Sequence, residues 1–198
     1  MAHQAQLRNK IFIVALVALA FGCRLKYNEG LTELPLFNSE QLSLTMNNGL
    51  AFSAGKPFSG RIFSFYQNTK DTAEIVGFLN GREHGEWKKF YPADKKKEVR
   101  YFKNGQKTGS YNAWWENGNK QLEYIFVDDE YEGTCKEWNE KGELSRIMNY
   151  SKGQEEGEQK WWYDGGKIKA NYVIKDGRRY GLLGTKNCIN VSDSVFKN

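Results

Sequence analysis

Short runs of alternating apolar and polar residues fill most of this chain, and they return with a period of 24 residues. Glycines mark the period at Gly60, Gly85, Gly109, Gly133, Gly157 and Gly181, in steps of 25, 24, 24, 24 and 24. Five residues after each of the first five stands an aromatic: Phe65, Phe90, Trp114, Trp138 and Trp162. The residues that follow are Tyr66, Tyr91, Trp115, Asn139 and Tyr163. A turn signal comes next, at Asp94, Gly118, Gly142 and Gly166. A second apolar run then closes on Phe78, Phe102, Phe126, Tyr150 and Ile174. It ends in a second turn, Asn80-Gly81, Asn104-Gly105, Asp128-Asp129, Lys152-Gly153 or Asp176-Gly177, before the next glycine restarts the unit.

Aromatic and β-branched runs bounded by Asn-Gly and Asp-Gly pairs form hairpins, because those turn residues accept positive φ. Each unit therefore holds two strands and two turns. Copies join as a meander, each advancing the sheet by about 9.6 Å. The predicted fold is all-β: an elongated single-sheet antiparallel meander of about five hairpin repeats over residues 42–181. No segment after residue 35 keeps a 3.6-residue period between its glycines, so helices are not expected. The stretch with Phe52, Gly55 and Lys56-Pro57-Phe58-Ser59-Gly60 reads as the second half of a looser first unit. Residues 182–198 depart from the pattern and form either a cap for the open sheet edge or a tail. Arrays this regular mostly bind and organise.

The stretches Gly85–Tyr91 (Gly-Glu-Trp-Lys-Lys-Phe-Tyr) and Tyr101–Gly109 (Tyr-Phe-Lys-Asn-Gly-Gln-Lys-Thr-Gly) resemble the MORN repeat, and more closely its bacterial variant. The resemblance runs from Gly49 to Gly181 and rests on five registered copies. It implies an elongated β-meander used for protein or membrane association. Members of the bacterial variant are often catalogued as antitoxin components of toxin–antitoxin systems.

The N-terminus carries a different signal. Arg8 and Lys10 precede an apolar run, Ile11–Phe21, and no acidic residue appears before Glu29. That run is too short for a bilayer span, which needs roughly 20 apolar residues. A charged region followed by a short apolar one reads as a secretory signal peptide over residues 1–22. The run ends in Ala20-Phe21-Gly22-Cys23, which resembles a bacterial lipoprotein signal with Cys23 as the lipid-attachment site. Ala20 and Phe21 depart from the usual pattern there, and cleavage after Ala18-Leu19-Ala20 is the competing reading, giving a secreted soluble protein. With the lipid in place, residues 23–41 become a lipidated N-terminus and tether on the membrane.

Hydrophobic residues make up 39% of the chain and aromatics 15%, the balance of a thin core held by cross-strand aromatic pairs. The formal charge of +5 includes Arg8 and Lys10, and Lys and Glu are otherwise interspersed, so no basic stripe points to nucleic acid. Lys95-Lys96-Lys97 falls in a predicted turn and reads as a solvated loop. Beyond the signal segment His84 is the one histidine, and it reads as a variable turn residue. Strand spacing puts it roughly 19 Å from Cys135, too far for a catalytic dyad. The same spacing argues against a Cys135–Cys188 disulfide unless the tail folds back, so Cys135 reads as a packing residue in the place of Trp87 and Tyr111. Glu116, Glu140 and Asp164 recur seven residues after their glycines, a spacing that paired glycosidase carboxylates also satisfy. A residue repeated in every turn more simply shapes that turn.

No catalytic residue, metal site or cofactor is therefore expected. The candidate binding surface is the aromatic ladder of Trp114, Trp115, Trp138, Trp162 and Tyr163. The expected function is a non-enzymatic cell-envelope lipoprotein whose repeat sheet binds a protein partner. Two alternatives stay open: an antitoxin or immunity protein that sequesters a toxin, and a glycan-binding envelope protein.

Overall fold

The computed structural model describes residues 34–183. The segment expected to be a signal peptide, Cys23, Cys188 and nearly all of the 182–198 segment lie outside the described residues.

The described chain is all-β apart from one 3-10 turn, Ser39–Gln41. The main sheet follows chain order through Gly60–Phe65, Thr72–Leu79, Gly85–Tyr91, Lys95–Lys103, Gln106–Trp114, Lys120–Val127, Gly133–Trp138, Leu144–Ser151, Gly157–Trp162, Ile168–Lys175 and Arg178–Leu182. Each strand is antiparallel to the next, and each repeat adds two, as the period requires.

The start of the array differs from the single sheet expected. Leu44–Asn47, Leu50–Ser53 and Lys56–Pro57 form a separate three-stranded sheet. Leu36–Asn38, assigned to the tether, instead pairs in parallel with Gly60–Phe65. An unpaired edge there needs a partner, and Phe37 supplies an anchor by packing 5.6 Å from the Phe58 ring. The small sheet covers a cluster of Ala51, Phe58, Ile62 and Phe78. It is pinned at Gly81, whose carbonyl accepts from Ala51 N at 2.8 Å and whose N–H donates to Phe58 O at 2.7 Å.

All five second turns have both central residues at positive φ, from Asn80 and Gly81 at 51° and 79° to Asp176 and Gly177 at 51° and 70°. This is the turn whose twist matches a hairpin. Asp128-Asp129 adopts it too, at 50° and 71°, and the Asp129 carboxylate accepts from Lys107 N at 2.8 Å.

The repeat glycine has its own task. Thr108 pairs with Tyr101, but Asn112 pairs with Val99, so the later strand carries two extra residues around Gly109. The same offset separates Phe126–Tyr131 from Glu123–Lys136, and Tyr150–Glu155 from Ile147–Lys160. Gly109 makes the bend at φ +67°, and a Cβ there would meet nothing closer than 3.9 Å. Gly109→Ala is thus expected to cost only the left-handed conformation, about 1–2 kcal/mol. A thermal melt would read this as a loss of several degrees.

Directly opposed residues share a face of the sheet. The registers place residues two and four after each glycine on one face, with their partners on the second strand. All buried repeat side chains lie there: Ile62, Phe78, Glu98, Phe102, Ala113, Phe126, Cys135, Met148, Gln159, Ala170 and Tyr172. This inner face is the core. Tilted ring contacts run along it, with Phe78, Trp87 and Phe102 packed at centroid distances of 5.8 and 4.7 Å, and Phe126, Tyr131 and Tyr150 at 4.7 and 5.1 Å.

Cys135 is fully buried in this row, in the place Trp87 and Tyr111 hold in earlier repeats. Burial pushes its thiol pKa up. Gln159 takes the same place one repeat later. Its Nε2 donates to Asn149 O at 2.7 Å, matching the bond from Trp87 Nε1 to Gly77 O at 3.0 Å.

Candidate functional site

The aromatics five residues after the glycine point away from the core. Each follows a bulge: Ala113 opposes Leu122, but Trp114 opposes Lys120, and the same skip precedes Phe65, Phe90, Trp138 and Trp162. Strand alternation puts position five on the face opposite positions two and four, so the rings form a row on the outer face beside the first turns, and the skipped residue lies on the opposing strand. Trp114, Trp138 and Trp162 are half-buried. Cations cover part of the row, with Lys96 Nζ 6.0 Å from the Trp114 ring and Lys120 Nζ 5.5 Å from that of Trp138.

Lys96 belongs to strand Lys95–Lys103, so the lysine run lies in a strand and not in the turn expected of it. The turn is made one step earlier, by Ala93 and Asp94 at positive φ. Lys97 is skipped by the bulge, and its Nζ lies 5.2 Å from the Tyr91 ring.

The next residues in each repeat tie neighbours together. Tyr66 OH donates to Phe90 O at 2.6 Å, Tyr91 OH to Trp114 O at 3.2 Å and Trp115 Nε1 to Trp138 O at 3.0 Å. In the next repeat Asn139 holds this position, and its Nδ2 donates instead to the Asp164 side chain, at 3.4 Å from Oδ1. Trp115 therefore has its polar edge engaged within the sheet, whereas Tyr163 is 42% exposed with Lys169 Nζ 5.4 Å from its ring.

Grooves open between successive first turns. One of about 510 Å³ is lined by Lys95, Lys96, Trp114, Glu116, Asn117 and Gly118. Another of about 260 Å³ lies between Asn139–Ser145 and Tyr163–Gly166. Each combines an aromatic wall with one of the recurring turn carboxylates. Such a mixture suits amphipathic protein side chains. Among the described residues no cluster of three or more His, Cys, Asp or Glu could hold a metal ion.

His84 joins a second ladder. Its Nδ1 accepts from Asn104 N at 3.2 Å, as Ser59 Oγ accepts from Asn80 N at 2.8 Å and Glu132 Oε2 from Lys152 N at 2.9 Å. The residue before each of these glycines thus caps the following turn. Burial, then the Lys103 charge, lowers the His84 pKa, which favours the neutral acceptor. Its contribution is complete above the ordinary histidine range and fades as pH falls through the lowered value.

Sequence reasoning missed a charged cluster on the inner face. Buried Glu98 accepts from Arg100 Nη2 at 2.6 Å and Tyr111 OH at 3.0 Å, with Lys89 Nζ at 3.4 Å. Burial alone would raise the Glu98 pKa, but the Arg100 bond and charge, Tyr111 and Lys89 together hold it below the usual value. Tyr111 is pushed up to about 12, first by burial and then by Glu98. The signal available in sequence was a break in the series Val76, Arg100, Tyr124, Met148, Tyr172, where one repeat puts a cation among core positions.

The fold defines a class, an open β-sheet array of hairpin repeats with its core on one face. Residues 83–104, 131–152 and 155–175 match the family model described as MORN repeat variant. No curated protein matches the chain. Among solved structures, it is similar to a chain in the crystal structure of accessory secretory protein 1,2 and 3 in Streptococcus pneumoniae. The identity is 19%, over 58% of this chain and 17% of that one, with a TM-score of 0.17. The present chain thus corresponds to about a sixth of that protein's length.

Proposed function

We propose that this protein is a non-enzymatic binding module of the cell envelope, anchored by a lipid on Cys23, whose outer face engages a protein partner. The observation that supports the reading is the outer row of rings. Trp114, Trp138 and Trp162 lie on the face opposite every buried side chain of the repeats, so the core does not account for them. A strip with the same chemistry in each unit suits extended contact with one partner.

The test is expression of the full chain in a bacterial host beside Cys23→Ala and Trp138→Ala. The wild type should be cleaved before Cys23, gain acyl mass and sediment with membranes, while Cys23→Ala should do neither. Trp138→Ala should leave the melt within a few degrees of wild type and weaken partner crosslinking by about 30-fold, the scale of an interface hot spot. A full-length, cytosolic wild type would remove the envelope reading and move toxin sequestration to first place.

A further inference from the structure

Four Asn-Gly pairs occur in the chain, beginning at Asn48, Asn80, Asn104 and Asn117. Such a pair carries a latent reaction, because the asparagine side-chain carbonyl lies one ring closure away from the next backbone nitrogen. Glycine, without a Cβ, leaves that nitrogen unshielded. The fold decides whether the reaction can run. It needs an asparagine amide open to attack and a glycine N–H free to lose its proton.

Three of the pairs are closed to it. The Gly81 N–H donates to Phe58 O and the Gly105 N–H to Glu83 O, both at 2.7 Å. The Gly118 N–H donates to Trp115 O at 2.8 Å. Asn117 is held as well, with Nδ2 donating to Glu140 O at 2.7 Å and Oδ1 accepting from Asn119 N at 2.9 Å. Asn48 and Gly49 differ. They form the tip of the hairpin between Leu44–Asn47 and Leu50–Ser53, closed by the Asn47–Leu50 pair. Both are exposed, and neither the Asn48 side chain nor the Gly49 N–H has a hydrogen-bond partner among the described residues. A Cβ at Gly49 would meet nothing within 4 Å, so the tip has room to change its backbone angles. Opening at such a tip costs little, whereas the other three glycines must first break a bond.

We propose that Asn48 is a modification site, deamidated spontaneously in the folded protein. Hydroxide from solvent removes the Gly49 N–H proton, and the nitrogen attacks Asn48 Cγ. The N–Cγ bond forms, the Cγ–Nδ2 bond breaks, and ammonia leaves with a proton from water. A water molecule then opens the cyclic imide at one carbonyl or the other, giving aspartate or isoaspartate. Either product places a new negative charge at the tip. Isoaspartate also adds a methylene to the main chain of a turn whose length sets the Asn47–Leu50 pairing. Leu44, on the affected strand, packs against the Ala51, Phe58, Ile62 and Phe78 cluster. The modification therefore bears on the small sheet that covers this cluster.

The experiment incubates the full-length protein in mildly alkaline buffer, once folded in detergent and once in urea. Peptides spanning the four Asn-Gly pairs are followed by mass spectrometry, with aspartyl and isoaspartyl forms separated by chromatography. In the folded protein the Asn48 peptide should convert first, and the other three more slowly by about tenfold or more, the cost of giving up one hydrogen bond. In urea the four should convert at similar rates. Asn48→Gln should remove the early conversion and leave the other three rates unchanged. A folded Asn48 peptide that stays intact, or converts no faster than those of Asn80, Asn104 and Asn117, would overturn the assignment. A lead for Asn48 that persists undiminished in urea would also overturn it, in favour of an effect of flanking sequence alone.

Discussion

Phe102→Ala should destabilise the repeat array by about 3–5 kcal/mol, the range for emptying an aromatic site in a packed core. Phe102 is 6% exposed, opposes Gly85 across one strand pair and Lys107 across the next, and packs with its ring centroid 4.7 Å from that of Trp87. Neither Gly85 nor the flexible Lys107 can fill the space its ring vacates. The loss falls between two repeats, and an array held by nearest-neighbour contacts has no distant contacts to offset it. A domain of ordinary stability, about 5–15 kcal/mol, would lose a large part of it. Urea unfolding followed by circular dichroism should show an early first transition as the two sides of the lesion separate. A single transition displaced by less than about 1 kcal/mol would mean that Phe102 is not in the core.

Glu98→Ala should cost about 3 kcal/mol, because it leaves Arg100 and Tyr111 on the inner face without their acceptor. The lower end of the range for broken buried pairs applies, since the Arg100 side chain keeps 27% of its exposure and can recruit water. The same residue sets a pH dependence. Its folded pKa is below the unfolded value, so its contribution is complete above the ordinary carboxylate range and is lost as pH falls through the depressed value. Wild type should therefore lose more stability than Glu98→Ala on acidification from neutrality to below pH ~4. Parallel stability curves for the two proteins across that interval would show that Glu98 is not the titrating group.

The repeat was legible because its turns are chemically explicit. Asn-Gly and Asp-Gly pairs announce positive φ, and the structure places both residues of every second turn there. The period also placed Cys135 correctly, since a fixed step aligns it with Trp87 and Tyr111. The side taken by each ring needed register, which period alone does not supply. Trp161 and Trp162 are adjacent in sequence, yet one faces the core and the other faces away. The parallel strand Leu36–Asn38 was hidden for a related reason: three residues carry no period, and their pairing is decided by a distant edge. Glu98 could be read as an ordinary surface glutamate until its cross-strand neighbours were known. The aromatic row itself was visible in the sequence, but not the lysines over it, because Lys96 and Lys120 come from the opposing strands.

Strand alternation divides the repeats into two nearly independent texts. Residues two and four after the glycine write the core, and those between them, together with the ring at five, write the surface opposite. A change in one text leaves the other grammatical. Selection can thus rewrite the outer row one unit at a time, keeping the scaffold while specificity drifts. A family built this way should preserve its inner residues as types and its outer residues only as a habit of carrying rings.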